Sequence, residues 1–302
     1  MLYIVVKWMV RWGFRLFCKS IDWSGWNVQN ANGPALLAVN HPNSFLDAVI
    51  LAAYIDQPVH FFARSDVFKH TWIRYFLHAL HLIPIYRIRD GVHQLKHNEQ
   101  SFATGLDVLK KNGLLLIFVE GLSDHQTELL PLKKGGARII QSAWSEGIPL
   151  QIIPIWLNYN SFYNFGKRVR IAVHQPINQQ NIPTSTSDAR FLKTVNEYMS
   201  KALLSMQAGL PRSENKKSTL AILGLPGKII HLPFYWLCVF IFKRTRASVI
   251  HRDSILFAVM TFLYPFYLLF IFIVIAYCSN DFIALFTTMS VPILGWIFTK
   301  TK

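Results

Sequence analysis

The run Ile255–Cys278 contains 24 residues without a charged side chain and constrains the fold more than any other feature. About 20 such residues are enough for a tilted helix to cross the hydrocarbon core of a bilayer. Phe282–Phe298 adds 17 uncharged residues after the short polar turn 279–281. The pair predicts a C-terminal transmembrane hairpin, which Pro265 and Pro292 kink without breaking.

The rest of the 302-residue chain is less apolar than this hairpin. The mean hydropathy of the whole chain, +0.28, is too low for a protein that spans the membrane throughout. A hydrophobic content of 52% excludes a disordered chain. The three cysteines lie in separate apolar segments, which excludes a disulfide framework and a zinc cluster. We therefore predict three parts: an N-terminal interfacial helix in residues 1–30, a soluble domain in 31–215 and a membrane region in 216–302.

The formal net charge of +15 is unevenly distributed along the chain. Residues 1–30 carry +3, residues 31–215 carry +5 and residues 216–302 carry +7. The most basic segment is therefore also the most apolar, whereas nucleic-acid binders concentrate charge on a solvated face. This pattern predicts anionic membrane lipids as a partner and no nucleic acid. Basic residues flank the hairpin and place both its ends, and hence the soluble domain, in the cytoplasm: Lys243, Arg244, Arg246, Arg252, Lys300 and Lys302.

Two further apolar segments are shorter than a span. Residues 2–18 form an amphipathic helix whose basic residues recur every fourth position: Lys7, Arg11, Arg15 and Lys19. We predict that Trp8, Trp12 and Phe14 lie in the membrane interface and that the basic stripe faces lipid headgroups. Ile229–Phe242, with only 14 residues, is interpreted as interfacial or re-entrant. A polar linker, 208–219, separates the soluble domain from the membrane region.

The soluble segment alternates short apolar runs with longer amphipathic ones, which predicts an α/β fold with a mostly parallel sheet covered by helices on both faces. The predicted strands are Pro34–Val39, Val59–Ala63, Ile83–Arg87, Leu114–Val119, Leu150–Leu157 and Arg168–Val173. The predicted helices are Ser44–Ile55, Thr71–His81, Val92–Asn112, Gly136–Glu146 and Ser187–Gln207. In such a sheet the loops at the carboxyl ends of the strands form the functional site.

The densest polar motif, residues 40–47 (NHPNSFLD), follows the first of these strands. His41 precedes a proline and therefore lies in an extended turn, while Ser44 and Asp47 predict a helix start of the capping-box type. A carboxylate beside an imidazole fixes the ring tautomer and makes the ring a general base. A helix-capping Asp47 with an unrelated His41 is the alternative.

Three other segments lie where the same edge of the sheet is expected. Arg87, followed by Arg89, ends one predicted strand, Glu120 and Gly121 follow another, and Lys133 leads into a helix. A further strand contains Pro154.

Four of these segments form ordered blocks that resemble the glycerolipid acyltransferase family: residues 40–47, the strand that ends in Arg87, the pair Glu120-Gly121 and the strand with Pro154. The resemblance implies a glycerol-3-phosphate acyltransferase-like fold, with His41 as the general base and Asp47 as its orienting partner. It implies that Arg87 holds the acceptor phosphate and that Glu120 and Gly121 help to bind the acceptor. Pro154 belongs to the block associated with the acyl-donor side of the pocket. The sequence departs from the family pattern at three points. Five residues, a different number from that of the pattern, separate His41 and Asp47, and Val119 and Leu122 stand where the pattern has other residues.

The function implied by the resemblance is transfer of a fatty acyl group from acyl-CoA or acyl carrier protein to 1-acylglycerol 3-phosphate in phospholipid biosynthesis, with no other cofactor. Glycerol 3-phosphate and a lyso-amino-lipid are alternative acceptors. Backbone donors at the helix start near Asn43–Phe45, among them those of Asn43 and Ser44, are candidates to stabilise the oxyanion, and Lys133 adds positive potential, although a solvated helix start explains that lysine equally well. No metal site is expected.

Other classes of protein fit the sequence less well. A serine hydrolase needs a second glycine that Gly121-Leu122-Ser123 lacks. A di-iron oxygenase needs more clustered histidines and carboxylates than the i, i+4 pair His93 and His97 provides. A non-catalytic lipid-binding protein would use the same membrane segments, but binding alone does not require His41 with Asp47.

Overall fold

The computed structural model describes residues 1–87, 91–125, 128–163, 165–183, 187–209 and 219–301. The predictions made for Arg89, for Lys302 and for residues 210–218 of the linker lie outside the described residues.

A seven-stranded sheet forms the centre of the soluble domain. Its strands are β1 (Cys18–Gly25), β2 (Ala35–Val39), β3 (Val59–Arg64), β4 (Leu82–Ile85), β5 (Leu114–Phe118), β6 (Gln151–Tyr159) and β7 (Lys167–Val173). Their order is β1-β7-β6-β2-β5-β3-β4. Only β6 and β7 pair antiparallel among these strands. The predicted mostly parallel sheet is confirmed, and the loops after β2, β5, β3 and β4 share one edge.

Helices cover both faces of this sheet, as the alternation predicted. The helices of the soluble part are α1 (Leu2–Phe17), α2 (Phe45–Tyr54), α3 (Thr71–Ala79), α4 (His97–Lys110), α5 (Lys134–Ser145) and α6 (Asp188–Gly209). Along β2, Leu37 and Val39 pack into a core shared with α1 and α2. Leu36 and Ala38 pack into a second core on the other face, shared with α4, α5 and α6. A strand buried on both faces explains why this segment is apolar at every position.

Strand β1 is the element that the sequence analysis missed. Its residues, CKSIDWSG, are mixed in polarity, so neither an apolar run nor strict alternation marks them. The strand pairs with β7 in parallel at the edge of the sheet, where one side of the ladder needs no partner. Residues 18–25 therefore belong to the sheet.

Helix α1 forms as predicted but faces differently. Phe14 is fully buried and stacks on Phe257, with ring centroids 4.2 Å apart, so its predicted interfacial position is wrong. Part of the basic stripe also faces the protein: Lys7 and Arg11 donate to carbonyls at the end of α2, and Arg11 pairs with Asp56 at 3.1 Å. These cations neutralise the unpaired carbonyls that end α2. Trp8 and Trp12 remain exposed, as the amphipathic pattern predicted.

Three C-terminal helices are long and apolar enough to cross a membrane: Ile222–Arg244, Val249–Cys278 and Asp281–Thr301. They contain α7 (Leu225–Arg244), α8 (Arg252–Cys278) and α9 (Asp281–Thr301). Helix α7 is longer than the predicted 14-residue interfacial segment Ile229–Phe242, because it extends beyond that segment at both ends, to Leu225 and Arg244. Helices α8 and α9 correspond to the predicted hairpin.

Candidate functional site

A histidine and a carboxylate meet at the carboxyl end of β2. The His41 Nδ1 lies 2.9 Å from the Asp47 Oδ2, although five residues separate them in the chain. His41 belongs to the turn and Asp47 to the first turn of α2, so the polypeptide folds back between them. With Nδ1–H donated to Asp47, Nε2 is the ring nitrogen able to accept a proton. The predicted pairing of these two residues is thus what the structure contains.

The surroundings of the pair fix it in place. The His41 ring stacks on Phe118 of β5 at 3.6 Å between centroids. Asp47 is fully buried and accepts two further hydrogen bonds, from the Asn43 amide at 2.7 Å and from the Tyr159 hydroxyl at 2.7 Å. Burial, and then the Asp47 charge, raise the pKa of Tyr159 well above its usual value, so this phenol remains a donor. Three donors around the buried carboxylate fix its orientation, and the carboxylate in turn orients the imidazole.

Two polar residues of the motifs, Asn40 and Glu120, connect separate segments of the chain through hydrogen bonds. The Asn40 side chain donates to the Leu157 carbonyl at 3.0 Å and accepts from the Leu157 amide at 2.7 Å, which extends the β2–β6 pairing by one residue. Glu120 accepts from the amides of His41 and Leu130 at 2.9 and 3.0 Å. Burial raises the pKa of Glu120. Glu120 thus holds the backbone of His41 through a hydrogen bond. Its predicted role in binding the acceptor stays a prediction.

The turn between His41 and α2 differs from the predicted capping box. Ser44 makes no side-chain cap; its Oγ lies 2.6 Å from the His251 Nδ1 instead. Its amide donates to the Ser123 Oγ at 2.8 Å. Because the Asn43 amide is also taken, by Asp47, neither can serve as the predicted oxyanion donor in this conformation. The Phe45 N–H, first in α2, has no acceptor within its own helix and is the better candidate.

Gly121 and Lys133 meet at the turn after β5. Gly121 has a φ of +68°, and an added Cβ would lie 2.8 Å from the Lys133 Cγ. Glycine is therefore required here for its backbone conformation and for space. The Lys133 amide donates to the Val119 carbonyl at 2.8 Å, which fixes the start of α5 beside this turn. The two predicted residues lie together, with the Lys133 side chain exposed.

Arg87 follows β4, at the opposite end of the site from His41. Three strand spacings, about 14 Å, separate β4 from β2. Arg87 lies 3.6 Å from Asp66, which also pairs with Arg64 at the end of β3. Arg64 is one strand nearer to His41 and was missed by the sequence analysis. Both guanidinium groups therefore lie on the same edge as His41, with Arg87 as the more distant one.

Pro154 lies inside β6 opposite Ala38 of β2. Its carbonyl accepts from His174 on the side away from β2, where the β6–β7 ladder has just ended. The backbone nitrogen of Pro154, which carries no hydrogen, also faces away from β2. The proline therefore costs no hydrogen bond between β6 and β2. Pro154 thus contributes to the sheet beneath the site.

The N-terminal end of α8 completes the site, and nothing in the sequence indicated this. Three residues there bond to the turn Asn43–Leu46, namely His251, Asp253 and Ser254. Ile250 accepts from His125 at 3.0 Å, and burial lowers the pKa of His125. At least 125 positions separate the members of each pair, so only a tertiary contact could reveal them. The one available signal is Asp253, a charged residue at the edge of an apolar span.

Within the described residues, no group of three or more His, Cys, Asp or Glu side chains is placed to hold a metal ion. The histidine cluster that a di-iron site requires is therefore not found in this part of the chain. Ser123, the nucleophile that a hydrolase would need, accepts a hydrogen bond from the backbone of Ser44.

Comparison with known proteins agrees with the motifs. Residues 20–158 match the sequence model of the Acyltransferase family. The 1-acyl-sn-glycerol-3-phosphate acyltransferase of Bacillus subtilis (strain 168) is 27% identical over 127 residues, which cover 41% of this chain and 59% of that protein. The chain thus aligns with less than two thirds of that relative. The crystal structure of the 1-acyl-sn-glycerophosphate (LPA) acyltransferase PlsC from Thermotoga maritima aligns with 16% identity and a TM-score of 0.48, covering 69% of this chain and 81% of that chain.

Proposed function

We propose that this chain, whose residues 20–158 match the Acyltransferase family, transfers a fatty acyl group from acyl-CoA or acyl carrier protein to the free hydroxyl of 1-acylglycerol 3-phosphate. The observation that carries this proposal is the 2.9 Å contact between His41 and a fully buried Asp47 at the carboxyl edge of the sheet. A lipid-binding protein has no need of a base that is held in one tautomer. The name of the Bacillus subtilis relative supports the choice of acceptor.

The chemistry follows from the state of His41. Its Nε2 removes the proton of the acceptor hydroxyl as the oxygen attacks the thioester carbonyl. The C–S bond of the resulting tetrahedral intermediate then breaks, and the imidazolium returns the proton to the thiolate. A thiol with a pKa of about 8.5 is a good leaving group, so this step needs little acid assistance. Asp47 stabilises the imidazolium between the two proton transfers, and no covalent enzyme intermediate is needed.

Recognition of the acceptor falls to the cations along the same edge. Arg87 is the proposed phosphate ligand, because a guanidinium binds a phosphate through two parallel hydrogen bonds. Arg64 shares the Asp66 carboxylate with Arg87 and can join it at the phosphate. A phosphate that displaces Asp66 would then bind between two guanidinium groups. Glu120 and Gly121 would shape the pocket next to His41.

The membrane region explains how a lipid reaches this site. Helix α8 begins in contact with the turn beside His41 and is apolar enough to span. We propose that α8 and α9 cross the membrane and that the basic flanks hold the soluble domain on the cytoplasmic surface. The hydroxyl of a lyso-lipid would then meet His41 at the bilayer surface without leaving it.

Acyl transfer from labelled acyl-CoA and from acyl carrier protein tests the function directly. With lysophosphatidate as acceptor, we expect His41→Ala to lose at least 1,000-fold in kcat, on the order of the contribution of a general base. His93→Ala, which changes an exposed histidine, should keep wild-type turnover. Equal turnover by His41→Ala and wild type would refute the mechanism. Parallel reactions with glycerol 3-phosphate and a lyso-amino-lipid identify the acceptor.

A further inference from the structure

The turn Asn43–Leu46 has an unusual connection to the membrane region. The Ser254 Oγ donates to the Asn43 carbonyl at 3.0 Å and accepts from the Leu46 amide at 3.0 Å. These two backbone groups belong to the first and fourth residues of the turn. In an ordinary β-turn the carbonyl of the first residue accepts directly from the N–H of the fourth. A hydroxyl from α8 therefore takes the place of that direct hydrogen bond and holds the turn open.

The backbone inside this turn is strained. Ser44 has a φ of +54° and a ψ of −147°, a region that residues with a side chain rarely adopt. Such a conformation persists only where its surroundings impose it. Here the Ser44 amide donates to Ser123 and its hydroxyl lies 2.6 Å from the His251 Nδ1. Every one of these partners lies outside the turn, and His251 and Ser254 belong to the start of α8.

A buried charged pair locks α8 against the domain at the same place. Asp253 is 1% exposed and is in contact with Lys167, the fully buried first residue of β7. The Asp253 Oδ2 also accepts from the Asn43 Nδ2 at 3.1 Å. A buried carboxylate paired with a lysine and hydrogen-bonded to an amide has a defined position. The first turn of α8 is thus fixed relative to both the sheet and the turn.

The consequence concerns Asp47. This residue follows Leu46 directly in α2, and the Asn43 amide donates to its carboxylate at 2.7 Å. Closing the turn would shift the start of α2 and move the Asp47 carboxylate relative to His41. A shift of about 1 Å in a catalytic group can cost on the order of 100-fold in rate.

We propose that Ser254, supported by Asp253, is a positioning residue that holds the turn Asn43–Leu46 open so that Asp47 reaches His41. The expected effect of this residue on kcat rests on the proposed function. The C-terminal helices are then part of the active site as well as an anchor, and activity depends on their correct packing against the domain.

The first test compares, in the full chain, Ser254 in the first turn of α8 with Ser279, the residue that follows the last residue of α8. Ser254→Ala should lower kcat about 10–100-fold with KM for acyl donor and acceptor within about twofold of wild type. Ser279→Ala, at the exposed far end of α8, should leave both constants unchanged. A wild-type kcat in Ser254→Ala, or a loss confined to KM, would overturn the proposal.

A matched pair of double variants separates positioning from general damage to the fold. Ser254→Ala/Ser44→Gly and Ser254→Ala/Ser44→Ala both lack the Ser44 hydroxyl, but only glycine adopts the observed φ and ψ without steric cost. We expect the glycine double variant to be at least about fivefold more active than the alanine one, since an opened turn costs a glycine less. Equal activities of the two would contradict the proposed role of the strained turn.

Hydrogen exchange provides a readout that does not need catalysis. In detergent, the amides of Asn43–Asp47 should exchange at least about tenfold faster in Ser254→Ala than in Ser279→Ala, because the Leu46 amide loses its acceptor. If the wild type acylates none of the acceptors, the proposed function fails and this measurement alone decides the inference. Equal exchange in both variants would refute it.

Discussion

At the scale of single residues, the site depends on how completely Asp47 is satisfied. Three donors surround its carboxylate, from His41, Asn43 and Tyr159. The first two come from the motif itself, and the third comes from the end of β6, one residue beyond the segment that matches the family. Tyr159 bonds one oxygen of the Asp47 carboxylate and His41 bonds the other, so the carboxylate is held in one orientation.

Removing the Tyr159 hydroxyl should therefore alter catalysis through Asp47. In Tyr159→Phe the carboxylate loses a hydrogen bond worth about 1.5–3 kcal/mol and attracts the imidazolium proton of His41 more strongly. We expect kcat to fall about 10–100-fold, since each increment of about 1.4 kcal/mol added to the barrier is a factor of ten in rate, and the acid limb of the kcat/KM profile to move to higher pH. Tyr198→Phe, a half-exposed tyrosine of α6, is the control. An unmoved acid limb would show that Tyr159 does not act through Asp47.

At the scale of elements, three aromatic rings connect α1 to the far edge of the sheet. His60 of β3 stacks on His81 at 4.4 Å, and His81 stacks on Tyr3 of α1 at 4.7 Å. Burial, and then the neighbouring His81, lower the pKa of His60 to about 4, and burial also lowers the pKa of His81. Both rings are therefore neutral in the folded protein at neutral pH.

This stack predicts acid sensitivity. Between pH 6.5 and about 4 the unfolded chain binds protons at these histidines while the folded chain does not, so stability falls as pH decreases through this window. We expect the melting temperature in detergent to drop between pH 7 and pH 5, and to drop by a few degrees less in His60→Phe. His93→Phe should behave like the wild type. The same acid-induced drop in both variants would assign the sensitivity to other groups.

At the scale of the whole molecule, the soluble domain packs directly against the apolar C-terminal helices. Helix α8 starts at the active site, and α9 ends against α1, where the Thr299 hydroxyl donates to the Leu16 carbonyl at 2.7 Å. Helix α7 begins in close contact with α9, since any side chain larger than that of Gly227 would clash with the Leu294 carbonyl. Only residues 245–248 separate α7 from the apolar segment that contains α8. The three C-terminal helices therefore pack against one another, and α8 and α9 also pack against the soluble domain.

The orientation of these helices can be tested with reporters. We expect a reporter fused at Asp281 to lie on the far side of the membrane, and reporters placed after Ala247 or after Lys302 to lie in the cytoplasm, by the positive-inside rule. Protease accessibility in intact spheroplasts checks each position. A cytoplasmic reporter at Asp281 would mean that α8 and α9 do not span, and a far-side reporter after Ala247 would mean that α7 does.

The sequence alone determined the elements whose signals are local. Every helix of the soluble part and six of the seven strands follow from periodicity, and the turn after β2 identified His41 with Asp47, since six positions of chain suffice to bring them together. Only the tertiary structure decided the rest: the β1–β7 pairing, the direction of the α1 stripe, Tyr159 at the carboxylate and the start of α8 at the turn. These contacts join residues at least 42 positions apart in the chain. Their residues carry ordinary polar or apolar side chains, so their partners follow from packing, which no local pattern records.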